Sequence, residues 1–337
     1  MSPLMQQRWA RFKKNKLGMF CLIAFGIIFG LSLCAELIAN DKPIVVSYKS
    51  DLYFPVFKHY PETAFGGVFE TEADYKDPVV RGLIEADGWM LNPVIPFSAQ
   101  SPNMDLTVPV PSAPTSQNWL GTDEQGRDVL ALIIYGLRIC LLFGICLTAA
   151  SAVLGIAVGA IQGYYGGWID LLGQRVLEVW GGLPVLFMVI ILVSMFSPSV
   201  YWLFAIMLFF GWTALVGLVR AEFLRARNFD YVRSARALGV SDRKIIFRHI
   251  LPNALSSTMS QLPFILTANI TALTALDFLG YGLPPDSASL GQLLEQGKTY
   301  LNAPWLTVSG FATLAIVLSL LIYIGEATRD AFDPRQH

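Results

Sequence analysis

Six apolar stretches, at about 17–39, 136–162, 171–196, 200–221, 254–279 and 304–326, constrain this chain more than anything else in it. Each reaches the ~20 residues that an α-helix needs to cross about 30 Å of hydrocarbon. No water inside a bilayer satisfies backbone N–H and C=O groups, so such stretches become helices. Composition agrees: the 337 residues are 54% hydrophobic and only 15% charged, with mean hydropathy +0.52. A soluble domain carries about 25% charged residues. The sequence predicts an all-α polytopic membrane protein with six transmembrane helices.

Charge segregation orients those helices. Residues 1–16 carry Arg8, Arg11, Lys13, Lys14 and Lys16 and no acid. Residues 220–248 carry eight Lys/Arg against Glu222, Asp230 and Asp242, whereas 40–118 carry five Lys/Arg against ten Asp/Glu. Short cytoplasmic loops concentrate Lys and Arg, so the basic head is expected inside. Alternation then puts 40–135 outside, 163–170 inside, 197–199 outside, 222–253 inside, 280–303 outside and 327–337 inside. Both basic clusters fall on the cytoplasmic side. The expectation is both termini cytoplasmic, with a periplasmic insertion between helices 1 and 2. The first apolar stretch is too long for a signal-peptide h-region of about 7–15 residues, and Leu33 is too large for a lipoprotein site at Cys34. It reads as an uncleaved anchor. Nucleic-acid binding is set aside, because spans flank the basic island on both sides.

Cysteine and histidine add little. Cys21, Cys34, Cys140 and Cys146 all lie in apolar stretches, and His59, His249 and His337 have no metal-ligand spacing. The expected domains are 1–39 (head and first span), 40–117 (periplasmic insertion), 118–329 (a core of five spans) and 330–337 (tail). The insertion is rich in Pro, acids and aromatics. Its prolines forbid long helices, while its aromatics argue for a folded cap with short strands, followed by an extended linker at 107–117. No internal repeat is evident.

Residues 230–253, DYVRSARALGVSDRKIIFRHILPN, form a basic amphipathic island. Tyr231, Ala235 and Leu238 recur at i, i+4 and i+7, giving a short helix one apolar stripe. Gly239 sits where the chain turns, in a conformation open to glycine. Ser241 or Asp242 caps a second helix with Ile245, Ile246, His249 and Ile250 on one face, and Pro252 closes the island. Such a pair cannot bury both faces alone. Two readings stand: its exposed face docks into a groove on a soluble partner with Arg236, Arg243 and Lys244 as a polar rim, or it rests on anionic lipid.

Polar residues inside spans each need a reason. Glu178 follows Arg175 by three residues, either as an intrahelical pair or paired with a partner membrane subunit. Thr267, Thr271 and Thr274, with Asp277 after them, make a polar stripe. That stripe either lines a water-filled path or hydrogen-bonds to its own carbonyls and across a helix interface, with Asp277 capping the helix end. Asn269 lies off the stripe, where an interhelical hydrogen bond is expected. Pro184, after Gly181 and Gly182, marks a hinge. Gly155, Gly159 and Gly163 repeat a small-xxx-small spacing that lets a second helix approach, within the subunit or from a partner membrane subunit. Trp119, Trp168, Trp202 and Trp305 are interface belt residues. Arg127, Asp128 and Asp123 read as a charge cluster holding the start of the second span, capped by Thr122 or Asp123, with contact to an incoming protein partner on the outer side as the second reading.

Four blocks then resemble one family. RWARFKKNKLGM before the first span, NWLGTDEQGRDVLALIIYGLRICL at 118–141, the island with DFLGYGLPP (277–285), and RDAFDPR (329–335) are similar to the permease subunits of dipeptide/oligopeptide-type ABC importers. Cys140 departs from that pattern, as do Arg233, Ser234 and His249. The long aromatic insertion resembles the microcin C-type peptide importer permease. The resemblance implies a type I ABC importer permease fold and an island that couples to separate ABC ATPase subunits through Ala235, Leu238, Gly239, Arg243, Lys244 and Pro252. It implies as partners a second homologous permease, a periplasmic substrate-binding protein, a peptide substrate and membrane lipid. A translocation path along Thr267, Thr271, Thr274 and Asp277, moving by alternating access, follows the same reading. No phosphate-binding G-x-x-x-x-G-K-[ST] loop, catalytic triad or zinc spacing occurs in the sequence. No cofactor and no catalytic site are expected, and ATP hydrolysis falls to the partners. A proton-coupled carrier would need carboxylates near the bilayer midplane, and a membrane enzyme would need convergent polar groups. Neither pattern is present.

Overall fold

Apolar runs of helix-forming residues produce long helices here, and glycine and proline decide where they stop. The computed structural model describes residues 3–104, 106, 108–196 and 199–332. Thr107 of the expected linker, residues 197 and 198, the end of RDAFDPR and of the tail 330–337, and His337 lie outside the described residues. Among the described residues, five helices are long and apolar enough to span a membrane: Lys16–Leu33, Val129–Tyr165, Val200–Ala226, Ser257–Phe278 and Pro304–Phe332. A sixth candidate is a bent pair, Gly167–Gly181 and Val185–Ser194, which meet at 73°. Pro184 stands at that break, with φ −75° and ψ 83°, and its ring cannot continue the helix before it. The third stretch is therefore a broken span or a re-entrant loop rather than one straight helix. Val129–Tyr165 has 37 residues, or about 55 Å at 1.5 Å per residue, well beyond the hydrocarbon thickness.

The chain divides into two compact units. One comprises Ile27–Cys140 and Pro285–Leu314. Here the segment after the first span carries the short strands expected of it. Strands β1 (Val45–Tyr48), β2 (Asp51–Tyr53) and β3 (Gly88–Leu91) form an antiparallel sheet in the order β2-β1-β3, with Ser47 opposite Leu52 on one side and Trp89 on the other. A ten-residue helix, Pro78–Asp87, packs beneath it. Asp77 caps that helix by accepting from Val79 N at 2.7 Å, and Pro78 fits its first position because that N–H has no partner anyway. Val46, Tyr48, Phe65, Tyr75, Val80 and Ile84 form the core, with Phe65 edge-on to Tyr48, Tyr53 and Tyr75. Burying each such aromatic or aliphatic side chain contributes about 1.5–3 kcal/mol.

The other unit comprises Met1–Gly26, Leu141–Pro284 and Ala315–His337. The amphipathic head helix Pro3–Lys14 packs Phe12 onto Ala327 and Ala331 of the last helix. Arg8 lies over the Phe332 ring at 4.7 Å. Asn15 then caps the first span by accepting from Gly18 N at 2.9 Å. The glycine face of Val129–Tyr165 is spent within the subunit. A Cβ on Gly155 or Gly159 would lie 2.7 Å from the carbonyl oxygen of Trp212 or Val216, and on Gly163 2.6 Å from that of Arg220. Any side chain there would push the 212–223 helix away. Asn269 donates to Thr148 Oγ1 at 2.9 Å, joining two spans as its position suggested.

Candidate functional site

The 230–253 island folds as a helical hairpin. Asp230–Ala237 is followed by a turn in which Val240 N donates to Ala235 O and Gly239 N to Arg236 O, each at 3.0 Å. Gly239 carries this reversal in a left-handed conformation, φ +77°, which closes the helix end with otherwise unsatisfied carbonyls. Ser241 is the capping position of the second limb, in extended backbone, but its side chain makes no capping hydrogen bond. Asp242 instead accepts from Tyr164 Oη, fastening this limb to the end of the Val129–Tyr165 helix.

The second limb runs from Asp242 through Met259 without leaving the helical region, but Ile245–Ile250 forms a π turn. Pro252 follows one residue further on, after Leu251. Its ring crowds the carbonyl four residues earlier and it offers no N–H, and a wider turn relieves both.

The inner face differs from the stripe expected on the first limb. Val232 and Ala235 are its buried residues, while Tyr231 is exposed and Leu238 is 83% exposed. The hydrophobic contact therefore follows i, i+3, because the limb is too short for its stripe to wrap further. Val232, Ala235, Ile245 and Ile250 join Val219, Phe223, Ala226 and Ala254 in one cluster. Outward point Leu238, Tyr231 and Phe247, among exposed Arg233, Arg236, Arg243, Lys244 and Arg248. The hairpin is thus anchored by one face and leaves an apolar, basic-rimmed face uncovered. Of the residues expected to couple, Leu238, Gly239, Arg243, Lys244 and Pro252 are exposed and Ala235 belongs to the anchor. Phe247 is a further exposed apolar residue there, and its signal in the sequence was its place opposite Ile245 and Ile250.

The polar stripe has a different character along its length. Thr267, Thr271 and Thr274 each donate to the carbonyl four residues earlier, from 2.8 to 2.9 Å. Thr271 is exposed, whereas Thr274 and Asp277 are buried. Asp277 Oδ1 accepts from Leu283 N at 2.6 Å, pinning the loop after the helix. Glu178 pairs with Arg175 on its own helix, and both are exposed.

The Asp123–Arg127–Asp128 cluster is buried. Asp123 Oδ2 accepts from Arg127 Nε at 2.8 Å, and Gln296 reaches the same oxygen at 3.4 Å. The helix cap is Asp128, not Thr122 or Asp123: its Oδ1 accepts from Ala131 N and its Oδ2 from Asn118 Nδ2, both at 2.8 Å. Thr122 instead bonds Ser112 Oγ, and its carbonyl accepts from Trp305 Nε1. Burial raises the Asp128 carboxyl pKa, against the pull of the Asn118 amide and the helix N–H groups. No group of three or more His, Cys, Asp or Glu residues able to hold a metal occurs among the described residues.

The family match gives this multi-span helical body, with its anchored and half-uncovered hairpin, the type I ABC importer permease fold. Residues 155–337 match the family described as binding-protein-dependent transport system inner membrane component, and residues 2–55 match the N-terminal TM domain of oligopeptide transport permease C. The chain is 57% identical to the inner membrane ABC transporter permease protein YejE of Escherichia coli (strain K12), covering 100% of this chain and 98% of that one. It is 50% identical to the peptidoglycan transport system permease protein YejE of Agrobacterium fabrum, over 99% and 94%. The oligopeptide transport system permease protein OppC of Haemophilus influenzae is 34% identical over 71% and 77%. The chain belongs to the binding-protein-dependent transport permeases, and within them to the oligopeptide/dipeptide group. It is a multi-pass inner-membrane permease subunit of a peptide-type ABC importer.

Proposed function

We propose that the 230–253 hairpin is the cytoplasmic lever through which separate ABC ATPase subunits move this permease between outward- and inward-open states. One observation carries the reading: Val232, Ile245 and Ile250 are fully buried while Leu238 and Phe247, on the same hairpin, are 83% and 67% exposed. A hairpin lying on lipid would need no such rigid anchoring, because lipid transmits no displacement to the spans. The head helix and the last helix, packed at Phe12 and Ala327, lie on that same cytoplasmic side. The 40–117 segment is periplasmic and 118–329 forms the permease core. A second homologous permease completes the path, with Thr267 and Thr271 facing it while Thr274 and Asp277 hold the helix end. A periplasmic binding protein delivers the cargo.

For cargo, we propose peptides, extending to peptide–nucleotide conjugates of the microcin C type. Support for peptides comes from the likeness to oligopeptide and dipeptide transport permeases, and the extension to conjugates rests on the resemblance of the long aromatic insertion alone. The Agrobacterium relative, a peptidoglycan transport system permease, favours a second cargo, the peptide-bearing fragments of peptidoglycan. Copurification with intact partners, reconstitution in liposomes, and uptake of each labelled cargo test the reading. ATP-dependent uptake that requires the partners is expected. Transport by the purified chain alone would sink it.

A further inference from the structure

The segment after the first span encloses a cleft of about 780 Å³, formed entirely by residues 40–130. That volume falls in the range of small-molecule pockets, about 300–1,000 Å³. A protein partner would instead need about 800 Å² of surface on each side. The cleft is therefore shaped for a compact ligand. Its lining combines the carboxylates Asp41, Asp74 and Asp77, and the buried Asp128 whose oxygens are already taken by Asn118 and Ala131, with the exposed apolar side chains of Trp119, Met104 and Val94.

The carboxylates are held in place by the backbone. Asp74 Oδ1 accepts from Lys76 N at 2.9 Å and Asp77 Oδ1 from Val79 N at 2.7 Å, so each keeps a second oxygen for another donor. Asp41 Oδ2 accepts from Ser101 Oγ at 2.7 Å. Two cations also line the cleft, and both are engaged. Lys76 lies over the Phe97 ring at 4.4 Å, and Arg81 donates its Nε to Glu85 at 2.7 Å. Acidic character therefore prevails. Trp119, 55% exposed, and Met104, 86% exposed, offer an adaptable apolar surface beside it.

We propose that this cleft is a subsite for the free N-terminal end of a short peptide. The terminal ammonium sits against Asp41, Asp74 and Asp77, and the first side chains rest on Trp119 and Met104. Such a site recognises a charge that every unblocked peptide carries and tolerates many side chains. The inference rests on the peptide-importer assignment and adds to it a place where this subunit itself reads cargo.

The test is calorimetric titration of the full chain in lipid nanodiscs with tetra-alanine and with its N-acetylated form. The free amine is expected to bind at least about tenfold more tightly, about 1.4 kcal/mol. Asp41→Asn combined with Asp74→Asn should abolish that preference, since asparagine keeps the local turns and loses the charge. Trp119→Ala should weaken both peptides and leave their ratio unchanged. Equal affinities for the two peptides, or a preference that survives D41N/D74N, overturns the proposal. So does an unchanged affinity in W119A, or no binding at all. Uptake of tetra-alanine by the assembled wild-type importer separates the two levels. Uptake without binding to this chain removes the subsite alone, and the lack of both removes the peptide reading with it.

Discussion

Two charged motifs of this permease, the 118–128 loop and the 230–253 hairpin, look alike in sequence and end in opposite environments. Both combine Arg and Asp with glycine at a turn. In the first, Asp123, Arg127 and Asp128 are buried, and every one is hydrogen-bonded inside its own unit. In the second, Arg233, Arg236, Arg243 and Lys244 stay in solvent while the aliphatic residues go inside. A charged motif is therefore structural where its partners surround it and adhesive where only its apolar residues are covered. Burial, not composition, assigns the role.

Removing one member of the buried pair gives the largest expected effect. Arg127→Ala leaves Asp123 charged and uncompensated, which costs about 3–5 kcal/mol. Thermal unfolding of the membrane-embedded chain should register it, and a shift no larger than that of Arg243→Ala would erase the contrast between the motifs. On the hairpin, Gly239→Val meets open space but must adopt φ +77°, a strain of about 1–2 kcal/mol. The turn should loosen and ATP hydrolysis in the assembled importer should separate from uptake. Gly239→Asn, which tolerates that conformation, should restore coupling.

Leu238→Glu removes no packing, so the melting temperature should hold while partner-stimulated ATPase coupling falls about tenfold, or about 1.4 kcal/mol. Unchanged coupling there would return the hairpin to the lipid reading. The smallest effect is one of pH. The folded Asp128 pKa lies above its ordinary 3.8, so the stability it contributes is present below that value and lost as pH rises through the raised one. Asp128→Asn retains a capping side chain and should flatten the dependence of unfolding temperature on pH across that window. A wild-type slope kept by the variant would assign the dependence to another group.

Much of this could be read from residues in order. The apolar stretches gave the spans, with ends off by as many as seven residues where Val129 rather than residue 136 opens the second, Pro184 gave the break, and the spacing of Gly155, Gly159 and Gly163 gave a close helix contact. Gly239 gave the turn. Each rests on local chemistry: hydrophobic length, ring geometry, the absence of a Cβ. The sheet under the first segment was legible only as short strands, because its register depends on which faces meet Phe65. The stripe of the first hairpin limb was misassigned to Tyr231 and Leu238, since a two-turn helix carries too little periodicity to fix its buried side. The cap of the second span went to Asp128 for a similar reason, as three acceptors stand within seven residues and only the backbone path selects one.

Sequence alone settled that this chain crosses a membrane several times, where its third stretch breaks, and where charge gathers. Tertiary structure alone decided which of that charge is hidden. Asp123 is desolvated by Gln296, and Thr122 is covered by Trp305, from more than 170 positions away along the chain. Desolvation is a property of everything that packs around a group, and neighbours in space are not written in the order of residues.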